Sequence, residues 1–147
     1  MSVRTASATE AAAFVERFAT AWADPAPERL NALLQPDVRL VQPLEGEVRG
    51  HDGTTAMWGR TFGLIPDLRG EVLDWAERGE FLVVSLRLHG TLGGRRVEWV
   101  TSDHIRLEDG LVRERIAHFD PLPLVLALLR APRVWPRYAA LQLRRMR

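Results

Sequence analysis

The sequence predicts an α+β domain in which N-terminal helices pack inside a curved antiparallel sheet, with further helices at the C-terminus. Three observations carry that prediction. Helical periodicity dominates residues 8 to 64, strand alternation dominates residues 68 to 119, and Gly93-Gly94 joins two of the alternating runs as a two-residue hairpin turn.

Residues 8–23 set Phe14, Val15, Phe18, Ala19 and Trp22 at helical spacing, and Asp24-Pro25 ends the run. A short helix over about 27–34 starts near a proline, and Gln35-Pro36-Asp37 turns into a strand over about 37–43, where Leu40 and Gln42 share a face. Residues 51–64 read as a third helix carrying Met57, Trp58 and Phe62, stopped by Pro66. Strands follow at about 68–78, 80–92 and 95–107, and after Glu108-Asp109-Gly110 a last strand runs to Phe119. Asp120-Pro121 then opens a helix on which Leu122, Val125, Leu126 and Leu129 form one apolar stripe. Pro132 breaks it before a second segment with Val134, Tyr138 and Leu141. A curved sheet around a helix leaves a cone with an apolar interior. Docked beside Trp99 and Phe119, the stripe would close its open end.

Counting outward from Gly93-Gly94 pairs Leu88 with Trp99, Leu86 with Thr101 and Val84 with Asp103, and puts these six on one face. The opposite face carries Ser85, Arg87, His89, Glu98, Ser102 and His104, with Val83 and Val100 apolar. Asp103 therefore falls on the dry side. A carboxylate there must be hydrogen-bonded, paired or protonated, which makes it the first candidate for chemistry.

At 147 residues and 46% hydrophobic side chains, the chain suits one domain, with a core over about 8–120 and an extension over 121–147. Cysteine is absent, which excludes disulfides and thiolate chemistry, and the four histidines show no metal-ligand spacing. All 20 basic residues are arginine and the net charge is +1, which argues against a nucleic-acid partner. No run reaches the roughly 20 apolar residues of a membrane span, and the N-terminus lacks a signal-peptide core, so a cytoplasmic protein without a membrane partner is expected. The small net charge hides an asymmetry. Residues 121–147 hold six arginines and no acid, leaving −5 on residues 1–120. Such a tail could touch a membrane surface or an acidic partner; the expectation is that it docks its apolar side on its own domain.

The order helix, helix, strand, helix, then long strands resembles the nuclear transport factor two-like fold. The segment SDHIRLEDGLVRERIAHFD resembles the closing hairpin of its SnoaL-like polyketide cyclase and ketosteroid isomerase branches, and the match spans roughly residues 10–120. The stretch from Arg17 to Pro43 looks alignable to the isomerase region that holds a tyrosine and the catalytic base; Phe18 stands for the tyrosine and Gln42 for the base. The DHIRL run resembles the isomerase DHFRF, whose aspartate donates a hydrogen bond to the developing enolate, and that residue is Asp103 here. The cyclases and limonene epoxide hydrolase carry a last-strand aspartate where this chain has Ala117, and the hydrolase's pocket asparagine falls at Gln42.

The last hairpin leaves two registers open. A two-residue turn at Asp109-Gly110 puts Asp103 opposite Ile116 and sends His118 and Asp120 inward, leaving the acid among apolar groups. A three-residue loop with a glycine bulge, which the resembling families favour, puts Asp103 opposite Arg115, with Ala117 and Phe119 inward. The candidate catalytic set is thus Asp103 as acid or hydrogen-bond donor, Gln42 orienting a substrate oxygen, and His118, Asp120 or Arg115 as the second polar group; Asp120 also suits a helix N-cap. Phe18, Trp22, Leu40, Trp58, Phe62, Leu86, Trp99, Thr101 and Phe119 are the candidate substrate-binding residues, because in a cone core and pocket lining are one surface. The expected function is a cofactor-free enzyme that acts on a hydrophobic carbonyl-bearing or polycyclic metabolite by acid-base proton transfer. Two alternatives stand beside it: a non-catalytic protein that binds a small hydrophobic ligand or serves assembly, and an epoxide hydrolase-like or dehydratase-like enzyme. A homodimer is expected through the outward face around Val83, Val100 and Ile116.

Overall fold

The computed structural model describes residues 8–146. Helices α1 (Ala8–Ala23) and α2 (Pro27–Asn31) lead to strand β1 (Leu34–Gln42), a short β2 (Gly46–Arg49) and helix α3 (Gly50–Leu64). Strands β3 (Arg69–Arg78), β4 (Phe81–Leu92), β5 (Arg95–Glu108) and β6 (Leu111–His118) follow, and the extension forms α4 (Leu122–Leu129), a 3-10 turn (Pro132–Val134) and α5 (Trp135–Arg145).

The six strands make one sheet in the order β2-β1-β6-β5-β4-β3. It is mixed rather than purely antiparallel as expected, because β1 runs parallel to β6. Strand β2 was not expected at all: at four residues it is too short to show alternation, and it forms by hairpin pairing of Gln42 with Gly46 around Pro43-Leu44-Glu45. The concave face buries one side of α1, where Ala11, Phe14, Val15, Phe18, Ala21 and Trp22 recur at helical spacing. An aromatic series runs from Phe14 through Phe18 and Trp22 to Trp58 and Phe62, each ring centroid within 5.8 to 6.4 Å of the next. Phe18, Leu40 and Leu86 are core residues of this layer. Asn31 locks α2 onto α3 by accepting from the Thr54 hydroxyl at 2.7 Å and the Trp58 indole at 3.2 Å. The Thr91 hydroxyl and amide both donate to Asp67, which holds that carboxyl below its ordinary range and ties the α3–β3 connection to β4.

The β4–β5 hairpin has the expected register, Val84 opposite Asp103 and Leu88 opposite Trp99. The last hairpin combines the two registers left open. Its turn is the two-residue one, with Glu108 opposite Leu111 and positive φ at Asp109 and Gly110. A bulge at Arg113 then adds one residue to β6, so Asp103 opposes Ala117 and Ile105 opposes Arg115. The side-chain faces are those of the bulge reading: Arg115 and Ala117 point into the cone, and His118 is exposed on the other side. His118 packs against His104 there, ring centroids 4.8 Å apart. Asp120 is also exposed, and its Oδ1 accepts from the Leu122 amide at 3.0 Å, as a helix start requires.

The extension docks on the sheet through Ala131 and Val134, both buried against the Gly93 turn. Its first helix divides differently from the expected stripe. Leu124, Val125 and Leu128 face the interior, whereas Leu122, Leu126 and Leu129 are exposed. The cause is Asp120-Pro121, which starts the helix where its 124/125/128 side meets the open end of the cone. Gly93 and Gly94 both have positive φ, but only at Gly93 would a Cβ run into Ala131; Gly94 has open space. Gly94→Ala should therefore cost about 1–2 kcal/mol of backbone strain, and Gly93→Ala clearly more, with faster proteolytic release of the extension. Denaturant melts of the two variants, with limited proteolysis, check the difference; equal costs would mean the extension is not seated on this turn.

Candidate functional site: a cavity built around a buried arginine

The open end of the cone is a cavity of about 170 Å³. Its walls come from four sources: α1 and α3 give Trp22, Trp58 and Thr61; the sheet gives Leu88, Leu92, Trp99, Thr101, Arg115 and Ala117; the β1–β2 hairpin gives Gln42, Leu44 and Glu45; and the extension gives Leu124, Leu128, Tyr138 and Leu141. The C-terminal helices are thus part of the wall. They are held there by Arg145, which donates to the Glu45 carbonyl at 2.7 Å, and by Arg137, which donates to the Leu64 carbonyl at 3.2 Å.

Among the sequence-derived candidates, Gln42, Arg115, Trp22, Trp58, Trp99, Thr101 and Phe119 line this cavity. Asp103 does not. It is fully buried behind the lining, where it accepts from the Thr101 hydroxyl at 2.8 Å and lies 3.4 Å from Arg115 Nε. Phe18, Leu40 and Leu86 are packed in the core, and Phe62 packs against its edge. His118 and Asp120 point away, so neither joins Asp103.

Arg115 is the centre of the arrangement. Its residue is 7% exposed, Asp103 stands behind it, Nη2 donates to Gln42 Oε1 at 3.1 Å, and the guanidinium carbon sits 5.7 Å from the Trp58 ring centroid. The contact to Asp103 is an ion pair without hydrogen-bond geometry, and both Nε and the Asp103 Oδ2 are left without a hydrogen-bond partner. Such a buried charge is tolerable because the carboxylate compensates it, yet its donors are not used up. Gln42, having spent its oxygen on Arg115, keeps its amide N–H groups. The Trp99 indole N–H is buried without an acceptor. Around Arg115 the lining therefore supplies donors, which suits a ligand that is apolar over most of its surface and brings oxygen to the guanidinium.

Sequence reasoning missed Glu45 and Arg60. Glu45 is the carboxylate of the lining, and Arg60 grips both its oxygens at 3.3 and 2.7 Å, with side chains only 12% and 13% exposed. No local pattern marks Glu45, because it lies in the three-residue loop of a hairpin whose second strand is too short to read. Leu44 beside it takes a φ of 73°, which costs a β-carbon-bearing residue strain, and its carbonyl accepts from Arg145.

The family profile for the SnoaL-like domain matches residues 15–115. No curated protein matches the chain. Among solved structures, TerC crystallised with polyporic acid superposes with a TM-score of 0.73 at 18% identity, covering 82% of this chain and 98% of TerC. A protein of Jannaschia sp. CCS1 described as a SnoaL-like polyketide cyclase gives 0.71 at 22% identity, with 87% and 97% covered. An epoxide hydrolase of the LEH-like type from M. tuberculosis gives 0.67 at 21%, with 86% and 94% covered. At these identities the similarity is one of fold.

Removing one partner of a buried pair leaves the other uncompensated, whereas replacing both by apolar groups does not. Asp103→Asn should cost about 3 kcal/mol in denaturant unfolding, and the double variant Asp103→Leu/Arg115→Leu should recover most of that loss. A double variant less stable than Asp103→Asn would show that packing, not charge compensation, sets the cost.

Proposed function

The chain belongs to the SnoaL-like domain family, and from that premise we propose that it is a cofactor-free enzyme acting on a hydrophobic, carbonyl-bearing or polycyclic metabolite by proton transfer. The single observation that carries this reading is Arg115: a guanidinium facing an apolar cavity, anchored from behind by Asp103 and from the side by Gln42. A substrate carbonyl oxygen accepts from Arg115, with the Gln42 amide orienting it. When a proton leaves the carbon next to that carbonyl, the electron pair moves onto the oxygen and the resulting enolate lies against the guanidinium. In a site closed to water such a prearranged charge is worth far more than in solution. Glu45 is the base in this scheme, accepting the proton on an oxygen released from Arg60. Return of the proton at another carbon completes an isomerisation; attack of the enolate carbon on a second carbonyl, with that oxygen protonated by Glu45, completes a ring closure. Polyketide-type substrates, as named for one structural neighbour, have the carbonyl spacing this requires.

Asp103 takes a different role from the one expected from the sequence. Sealed from the cavity, it acts through Arg115 as a positioning residue. The same observation favours a second reading, in which the cavity binds an oxygenated apolar ligand without turning it over.

The two readings separate in deuterated water. Fused-ring ketones incubated with the protein should gain deuterium beside the carbonyl, followed by mass spectrometry. Arg115→Met should slow this by about 10²–10³-fold, as loss of an oxyanion donor does, and Glu45→Gln by about 10²–10⁴-fold. Binding of the same ketones with no exchange in the native protein would assign the cavity to binding alone, and unchanged exchange in Arg115→Met would remove Arg115 from the scheme.

We also propose a homodimer through the outer sheet face, where Val83 and Ile116 flank His104 and Val100 is half-exposed further along β5. Light scattering should give twice the 16.6 kDa chain mass, and Val100→Glu should give the single-chain mass. A native protein that runs at the single-chain mass at micromolar concentration rejects the dimer.

A further inference from the structure

The C-terminal extension hides one face in the cavity and leaves the other unpartnered. Among the described residues, seven of the eleven exposed large hydrophobic side chains lie in residues 122–146. Leu122, Leu126 and Leu129 recur at i, i+4 and i+7 on the outer side of α4, at 55%, 38% and 59% exposure. The Trp135 indole donates to the Leu128 carbonyl at 2.7 Å, which fixes this exposed ring at the end of α4. From Trp135 the helical spacing carries Leu143 and Met146, both exposed, along the same side of α5. Neither helix contains a fully buried residue.

Charge accompanies this apolar face. Residues 121–147 carry six arginines and no acid, against −5 for the rest of the chain. Arg130 and Arg133, both exposed, sit between the two helices, while Arg137 and Arg145 hold the extension to the cavity rim.

We propose that this surface docks the protein on an anionic lipid membrane, with the closed end of the cavity against the bilayer. Leucines on one helical face, a tryptophan at its edge and arginines around it are the groups that enter the acyl boundary, sit at headgroup depth and pair with phosphate. The exposed side chains stand on the outside of two short helices, with arginines among them, and so suit an anionic surface without fixed shape. The acidic body would be repelled by the same lipid, which orients the molecule with α4 and α5 inward. The expectation that the tail docks its apolar side on its own domain is met by Leu124, Val125 and Leu128 of α4, by Ala131 and Val134, and by Tyr138 and Leu141 of α5, but not by the outer residues named above. The proposal stands whether the cavity catalyses or only binds; an apolar ligand dissolved in the bilayer would reach it through the α4–α5 wall.

The test is co-sedimentation of the full chain with vesicles of phosphatidylcholine alone and of equal parts phosphatidylcholine and phosphatidylglycerol. Partitioning onto the mixed vesicles should exceed that onto the neutral ones at least about tenfold and fall as salt is raised. Leu122→Glu/Leu129→Glu should lower it at least about tenfold, and Arg130→Ala/Arg133→Ala by about fivefold per arginine, with melting temperatures unchanged. Because an α4 variant could unfold the extension, a second measurement uses brominated lipid, which should quench native tryptophan fluorescence and do so far less in Trp135→Phe. Absence of anionic-vesicle binding overturns the proposal, as does binding untouched by the leucine variant. Retention on polyglutamate without vesicle binding would assign the face to an acidic protein, and a mass change in Leu122→Glu/Leu129→Glu would assign it to a second copy; either result also overturns it.

Discussion

The pair between Arg115 and Asp103 is the interaction on which the cavity depends. A guanidinium placed alone in this apolar lining would cost several kcal/mol of desolvation, so without Asp103 the strand could not present it. Asp103 in turn is tolerable only because Thr101 and Arg115 reach it. Both conditions are set by one backbone irregularity. The bulge at Arg113 shifts β6 by one residue, so that the small Ala117 rather than Ile116 opposes Asp103 and Arg115 turns into the cone, diagonal to Asp103.

That bulge is also where legibility in the sequence ends. The helices, the four long strands, the Gly93-Gly94 hairpin and the inward placement of Asp103 follow from periodicity and turn chemistry, because each is a local pattern repeated over many residues. A bulge is one extra residue whose register depends on pairing with another strand, and Arg113 looks like any other exposed position in β6. Hence neither register read at the last turn gave the partner of Asp103, which is Ala117 rather than Ile116 or Arg115, although one had the turn and the other the inward face of Ala117. The parallel pairing of β1 with β6 is a long-range choice of the same kind. For the candidate site, residues on long strands and helices such as Trp22, Trp58, Trp99 and Thr101 were readable. Glu45 and Arg60 were not, since they reach the cavity from a tight loop and a helix flank that no periodicity marks.

The chemistry of the lining follows from the same constraint. Asp103 is used up in holding Arg115, so it does not face a ligand. What remains near the guanidinium is a set of donors, Arg115, the Gln42 amide and the Trp99 indole, with the carboxylate of Glu45 elsewhere in a mostly apolar wall. Resemblance to the isomerases places the functional hydrogen bond on the aspartate. In the proposed scheme it moves one residue outward, to the arginine in front of the aspartate. A guanidinium stays protonated throughout, so it can stabilise an enolate but cannot protonate it, and proton transfer must come from elsewhere in the lining. Glu45 is the carboxylate placed to do that, and its pairing with Arg60 makes its availability depend on movement of the β1–β2 hairpin.

That hairpin and the extension are joined. Arg145 of α5 bonds the carbonyls of Leu44 and Glu45, and Leu141 packs against Gly63 of α3, closing the cavity over the same loop that holds its carboxylate. Any motion that lifts α4 and α5 therefore also frees the backbone on either side of Glu45, while Arg115 and Asp103 stay fixed in the sheet. The extension is joined to this loop by a few carbonyl hydrogen bonds, each worth only about 1 kcal/mol net. The carboxylate of the lining is thus held on two sides, its backbone by Arg145 of α5 and its side chain by Arg60 of α3, while Arg115 is held in the sheet by Asp103.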